Sequence, residues 1–158
     1  TASLPVITYC RERNKSEEQL YRALFFSHLT TIHIKAKIGR LSAYCGPMCG
    51  SAAVAGAIGF VNDFDFKTIS NAIINTLGGV SGIVCDGANS SCPIKIANGT
   101  YAAYDGIAMA ANGNVITVGD GIVGQDVEQT INNIAEMAQK GMDVTDKVIL
   151  DIMTRDDI

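Results

Sequence analysis

The stretch AYCGPMCGSAAVAGAIGFV, residues 43–61, constrains the fold more than any other part of the chain. It carries no charged residue, which is a property of membrane-spanning helices. Its apolar character, however, comes mostly from alanine and glycine, and it contains Pro47 and two cysteines. Small residues allow a second helix to approach closely. The stretch therefore predicts a helix buried inside the protein, and no membrane is expected as a partner.

The composition fits one domain with a closely packed core. The chain has 158 residues, of which 47% are hydrophobic and 18% charged, and it contains no tryptophan. This length suffices for one core, so we expect a single domain over residues 1–158. The net charge of -4, without a basic run, gives no electrostatic footprint for nucleic acid. A small anionic substrate would need a local positive site.

Hydrophobic periodicity predicts an all-α fold, a compact bundle of about six Gly/Ala-rich helices with little or no sheet. The first helix is predicted from Ser16 to about Ile38, with Ser16 and two following glutamates at its start. Beyond the buried stretch, apolar spacing predicts helices near 66–79, 100–112, 127–141 and 148–153. No internal repeat or low-complexity linker divides the chain.

Five cysteines in a chain without a visible secretory leader favour thiols, a metal or a cluster over a disulfide framework. We therefore expect a reducing, cytoplasmic compartment. The chain starts with Thr1 and enters an apolar run at once, so we expect it to be part of something longer.

Four cysteines lie beside glycine, serine or proline, where a sharp turn can direct a sulfur toward a point: Cys45, Cys49, Cys85 and Cys92. They can be reduced core residues, because cysteine often behaves as a small hydrophobe. Zinc is weakly indicated, since its sites usually have two tight pairs, whereas these pairs enclose three and six residues. An iron-sulfur cluster needs thiolates on loops whose glycines let backbone N–H groups approach the sulfurs. Spacing alone leaves these alternatives open.

Recognisable family segments extend over nearly the whole chain. They read FFSHLTTIHIKAKIGRLSAYCG, NAIINTLGGVSGIVCDGANSSC, GIVGQDVEQTINNIAEMAQKGM and TDKVILDIMT. This order resembles the carboxy-terminal part of the L-cysteine desulfidase family, which is related to the alpha chain of iron-sulfur-dependent L-serine dehydratases. The resemblance implies a 4Fe-4S cluster held by three cysteines, which match Cys45, Cys85 and Cys92 here. Three protein ligands leave one iron with an open position, where it acts as a Lewis acid.

The activity implied by the resemblance is β-elimination. L-cysteine would give sulfide, pyruvate and ammonia, and L-serine would give pyruvate and ammonia. Family members are longer toward the amino terminus, so a missing amino-terminal part or a partner subunit is also implied, and assembly into a homo-oligomer stays open. The alternative from another class is a non-catalytic helical module with a structural zinc site or reduced core cysteines.

Three further residues are candidates for the catalytic site. His28 lies on a helix face directed at Cys45 and could act as a base or fix the substrate, although a hydrogen-bonded structural histidine is the simpler interpretation. Arg40 and Ser42 are candidates to hold the substrate carboxylate, because a guanidinium offers a bidentate fork. Alternatively, the arginine satisfies carbonyls at the end of the helix.

Charged and polar residues near the cysteines complete the prediction. Lys35 and Lys95 could supply positive potential near a cluster, although a solvated lysine is the default. Asp86 is predicted to cap a helix that begins beside it. Asn89 and Pro93 depart from the family pattern, in which a lysine and a small residue are expected at these positions.

Overall fold

The computed structural model describes residues 1–155, which form seven α-helices, with longer connections at 80–91 and 112–126. The α-helices are α1 (Leu4–Glu12), α2 (Glu17–Ile38), α3 (Gly46–Val61), α4 (Phe66–Gly79), α5 (Cys92–Ala111), α6 (Val127–Glu136) and α7 (Met142–Met153). Within this part of the chain, the only β pairing is one isolated antiparallel bridge between Tyr44 and Val84. The predicted all-α fold is confirmed.

Helix α3 is the centre of the bundle. Thirteen of its 16 residues are buried, because α2, α4 and α5 all pack against it. Two hydrophobic clusters meet at this helix, one around Met48 and Cys49 and the other around Val54 and Ile58. Among the helices of residues 1–155, none is both long and apolar enough to cross a bilayer. The apolar stretch is therefore a buried helix, as its small residues predicted.

Polar side chains fix where several helices begin. At α2, Gln19 N–H donates to Ser16 Oγ at 3.2 Å, and Ser16 N–H donates to Gln19 Oε1 at 3.0 Å. This reciprocal pair satisfies two backbone donors that the helix start would otherwise leave unpaired. At α4 and α6 the capping is one-sided, because the carboxylates of Asp65 and Asp126 accept from the N–H groups of Thr68 and Gln129.

Helix α5 begins at Cys92, a full two turns before the predicted start near residue 100. Two residues in its first turns, Pro93 and Gly99, resemble helix breakers in the sequence. Proline is tolerated in the first turn, where its missing N–H would have no intrahelical acceptor. At Gly99, a Cβ atom would lie 2.2 Å from Ser51 Oγ. The glycine therefore permits the close approach of α5 to α3.

The two ends of the chain also differ from the prediction. Helix α1 was not predicted, because it buries only Val6 and Cys10 and so shows little periodicity. Gly141 was expected to end a helix, but a π-helical turn, Met137–Gly141, leads from α6 directly into α7.

Candidate functional site

Two connecting segments meet beside the start of α3 and bring Cys45 and Cys85 together. Cys85 N–H donates to Ala43 O at 2.6 Å, and Cys45 N–H donates to Ile83 O at 3.1 Å. The isolated bridge lies between these two bonds. Cys45 is also the N-cap residue of α3, so its position is fixed both by the helix and by the paired segment.

Cys92 joins them as the first residue of α5. Its sulfur lies in a tight bend of the preceding loop, where Asn89 N–H donates to Cys92 Sγ at 3.5 Å and the thiol donates to Gly87 O at 3.6 Å. Gly87 has a φ of +90°, a conformation that glycine adopts without the strain of a side chain. The glycine bend thus lets a backbone N–H reach a cysteine sulfur, and such hydrogen bonds tune the potential of clusters in general.

The three thiols interact electrostatically. Burial raises the pKa of Cys45, and negative charge on Cys85 and Cys92 would raise that pKa further, while Lys95 opposes these effects. Cys45 is buried, whereas Cys85 and Cys92 are half-buried. Cys45, Cys85 and Cys92, which we call the three-cysteine site, are therefore brought together from three separate segments.

The chemistry of this donor set fits a cluster. Cys45 and Cys92 stand at the N-termini of α3 and α5, where the helix dipole favours a thiolate. Among residues 1–155, no three His, Cys, Asp or Glu side chains converge as ligands around a single metal ion. A cluster takes its cysteine thiolates on different irons, and tetrahedral zinc takes all of its ligands at one point. Cysteine thiolates are the donors that an iron-sulfur cluster takes, so these three residues fit that group by their chemistry.

Asp86 has a different role from the predicted helix cap, since the N-cap residue of α5 is Ser91. Asp86 instead forms an ion pair with Lys95, which also donates to Val84 O at 3.1 Å. The hydrogen bond from Lys95 is the main reason that the pKa of Asp86 is lowered, and the same bond raises the pKa of Lys95. Because the lysine side chain is only 18% exposed, it is not the solvated lysine expected by default.

Both departures from the family pattern are accommodated locally. Asn89 Nδ2 donates to the backbone oxygen of Asp86 at 3.2 Å, and Asn89 Oδ1 accepts from Ser91 N–H at 2.9 Å. Pro93 occupies the first turn of α5, where proline is tolerated.

Among residues 1–155, the hydrogen bonds of the predicted catalytic side chains go to partners other than these cysteines. His28 is exposed, and its Nε2 lies 2.9 Å from Ser3 Oγ. Ser42 Oγ donates to Ala138 O at 3.2 Å and accepts from Tyr44 N–H at 3.1 Å, so its hydroxyl braces the backbone. Within residues 1–155, neither side chain is hydrogen-bonded to a cysteine of the site, and their catalytic roles stay predictions.

Arg40 is exposed and has no hydrogen bond to any residue in the described part of the chain. It therefore does not satisfy the carbonyls at the end of α2. Together with Lys35 and Gly39 it lines a surface groove of about 620 Å³. The two cationic side chains give this groove a local positive charge.

Cys10 and Cys49 lie inside helices and are both buried. Burial raises the pKa of Cys49 to about 11, with Lys35 opposing the shift. Cys10 lies in the other core cluster, and burial raises its pKa as well. All five cysteines are free thiols, so the structure contains none of the disulfides that the sequence disfavoured.

Sequence reasoning missed Tyr44, whose side chain is fully buried. Its hydroxyl has no hydrogen-bond partner within residues 1–155. Burial raises its pKa, and the nearby Cys49 and Cys45 act in the same direction. The only sequence signal was a tyrosine directly before a candidate ligand.

Fold and site together define an all-α domain in which cysteines at two helix starts and on one connecting segment lie near one another. The chain belongs to the serine dehydratase alpha chain family, whose sequence profile matches residues 2–151. The family relationship predicted from the sequence segments is thereby confirmed.

Close relatives extend beyond this chain. A UPF0597 protein of Fusobacterium nucleatum is 53% identical over 98% of this chain and 36% of its own length. UPF0597 proteins of Treponema denticola and Desulfitobacterium hafniense are 47% and 46% identical over 98% and 97% of this chain, again 36% of their own lengths. The chain thus spans little more than a third of the curated relatives it matches. No solved structure matches it.

Proposed function

We propose that this chain is the cluster-binding part of a lyase that eliminates the β-substituent of L-cysteine or L-serine. The observation that carries the proposal is the meeting of Cys45, Cys85 and Cys92 at one site, in a chain of the serine dehydratase alpha chain family. Because the chain spans 36% of its relatives, the complete activity is proposed for a longer protein or for an assembly with a partner subunit.

The proposed cofactor is a 4Fe-4S cluster on these three thiols. When bound, it would supply an open iron as a Lewis acid for the departing thiol or hydroxyl. The task of the chain is to hold its ligands in place. Backbone bonds join the Cys45 and Cys85 segments, and the bend at Gly87 positions the sulfur of Cys92.

Substrate binding is proposed for the cationic groove beside the end of α2. Arg40 has its guanidinium free to form a bidentate contact with the α-carboxylate. Ser42 is less suited to this role, because its hydroxyl is already engaged by the backbone. His28 has an exposed imidazole and stays our candidate for removing the α-proton. The aminoacrylate product of elimination then hydrolyses to pyruvate and ammonia.

The test is an anaerobic assay of the longer protein or assembly that contains this chain. After reconstitution with iron and sulfide, the protein should release pyruvate from L-serine, or sulfide and pyruvate from L-cysteine. Sulfide release without serine turnover would identify L-cysteine as the substrate. Cys85→Ser should abolish turnover, whereas Cys10→Ser, a matched change at a buried thiol in α1, should preserve it.

A protein that carries about four irons per chain, the stoichiometry of a 4Fe-4S cluster, but releases neither product would contradict the proposed activity. Turnover that survives Cys85→Ser would contradict the proposed site.

A further inference from the structure

Lys95 occupies an unusual position among the lysines of this chain. Among the lysines that pair with a carboxylate in residues 1–155, Lys95 has the least exposed side chain, and its partner is Asp86. The Lys95 side chain is 18% exposed, against 70% for Lys147 and 76% for Lys140, each of which pairs with a carboxylate four residues earlier. Burying an ammonium is unfavourable unless it is well paired, so a role at this site is indicated.

The contacts of Lys95 connect two of the segments that carry the cysteines. Lys95 lies in the first turn of α5, just after Cys92. Its Nζ atom donates both to Val84 O at 3.1 Å and to the carboxylate of Asp86. Those acceptors flank Cys85 on either side in the chain. The ammonium therefore fastens the Cys85 segment to the helix start that holds Cys92.

The same ammonium retains capacity for one more partner. A lysine ammonium has three N–H donors, and only two of them have acceptors among residues 1–155. Its charge also acts on the thiols, because Lys95 lowers the pKa of Cys45 against the effect of burial. Three thiolates in one site would repel one another, and a nearby cation offsets that repulsion.

We propose that Lys95 is the positioning residue and counter-charge of the three-cysteine site. It fixes the Cys85 segment to α5 and leaves one N–H and its positive charge beside the group that these cysteines hold. This inference rests on the proposed function, since it concerns the cluster-loaded protein. It adds a residue that binds no iron itself but sets the charge around the cluster.

Breaking the ion pair from each side separates charge from structure. The parent protein, Lys95→Met, Lys95→Arg and Asp86→Asn are reconstituted anaerobically, and iron content and cluster reduction potential are measured. A nearby positive charge favours the added electron. We therefore expect Lys95→Met to shift the potential to more negative values and Asp86→Asn to more positive values. Lys95→Arg, which keeps the charge, should stay near the parent.

A pair with a structural role alone would respond alike to the loss of either partner. Shifts in the same direction, or no shift, in variants that carry the iron content of the parent would overturn the inference and leave the proposed function intact. If the parent itself binds no cluster, both fail. Should Lys95→Met bind less than half the iron of the parent, Lys95→Gln is measured in its place, because it also removes the charge but keeps a hydrogen-bond donor, and the same negative shift is expected.

Discussion

The cysteines of this chain fall into two groups that differ in their position along the backbone. Cys45, Cys85 and Cys92 stand at helix starts or in a connecting segment, with polar groups and a lysine around them. Cys10 and Cys49 lie within helices and are buried in the two hydrophobic clusters, and Cys45 shares the cluster of Cys49.

The difference is one of backbone position. At a helix start the N–H groups are unpaired and the dipole favours negative charge, so a sulfur there can become a thiolate and a ligand. Within a helix the backbone N–H groups are already used, so no unpaired donor faces the sulfur. Burial raises the pKa of both Cys45 and Cys49, so backbone position is what distinguishes the two. Cys45 and Cys49 are one turn apart on the same helix, and that turn separates a candidate ligand from a core residue.

The largest contrast is expected in thiol reactivity of the cluster-free protein. The thiolate is the nucleophile, and a pKa of about 11 for Cys49 lowers its thiolate fraction near neutral pH roughly a hundredfold against an ordinary cysteine. Alkylation with iodoacetamide, mapped by mass spectrometry over time, should label Cys85 and Cys92 first and Cys49 far more slowly. In urea all cysteines should react alike. Equal alkylation rates for Cys49, Cys85 and Cys92 in the native protein would contradict the predicted difference between the two groups.

The second test measures stability, where the substitution at the core cysteine should have the larger effect. Cys49→Ser places a hydroxyl in the core and should lower the free energy of unfolding by about 1–2 kcal/mol. Cys92→Ser, at a half-buried position, should change it by less than about 0.5 kcal/mol. Urea unfolding of the cluster-free variants gives both values. A Cys92→Ser cost as large as that of Cys49→Ser would contradict the division into ligand and core positions.

The smallest effect concerns Tyr44, whose hydroxyl lies near both Cys49 and Cys45. Because this buried hydroxyl has no partner within residues 1–155, Tyr44→Phe should leave the stability of the cluster-free protein unchanged or raise it by up to about 1 kcal/mol. The matched control is Tyr9, whose hydroxyl accepts from Asn62 Nδ2 at 2.8 Å. Tyr9→Phe should cost about 1 kcal/mol. If Tyr44→Phe destabilises as much as the control, the hydroxyl has a partner after all.

Local signals in the sequence predicted much of the fold. Ser16 and Gln19 form their capping pair between residues three apart, so the start of α2 could be read directly. The start of α5 could not, because Gly99 resembles a breaker until its close neighbour Ser51 is known, and that contact is tertiary. When a contact with another helix requires a particular residue, the hydrophobic periodicity of its own helix does not reveal that requirement.

The candidate site divides in the same way. The glycine bend around Cys92 is local and was predicted from the residues beside the cysteines. The ion pair of Asp86 with Lys95 joins a loop to a helix start, and no periodic spacing in the sequence predicts it. Ser42 appeared free to bind a carboxylate, but its hydroxyl is engaged by Ala138, which lies 96 positions away. Long-range contacts of this kind decide which polar side chains remain available.

The division between the two groups is tested most directly by counting iron. The parent and five single serine variants are reconstituted anaerobically, and iron and sulfide per chain are determined. The parent, Cys10→Ser and Cys49→Ser should each hold about four irons per chain, whereas Cys45→Ser, Cys85→Ser and Cys92→Ser should lose the cluster. Iron binding that is unaffected by Cys85→Ser, or a single tightly held zinc that requires Cys49, would contradict the account.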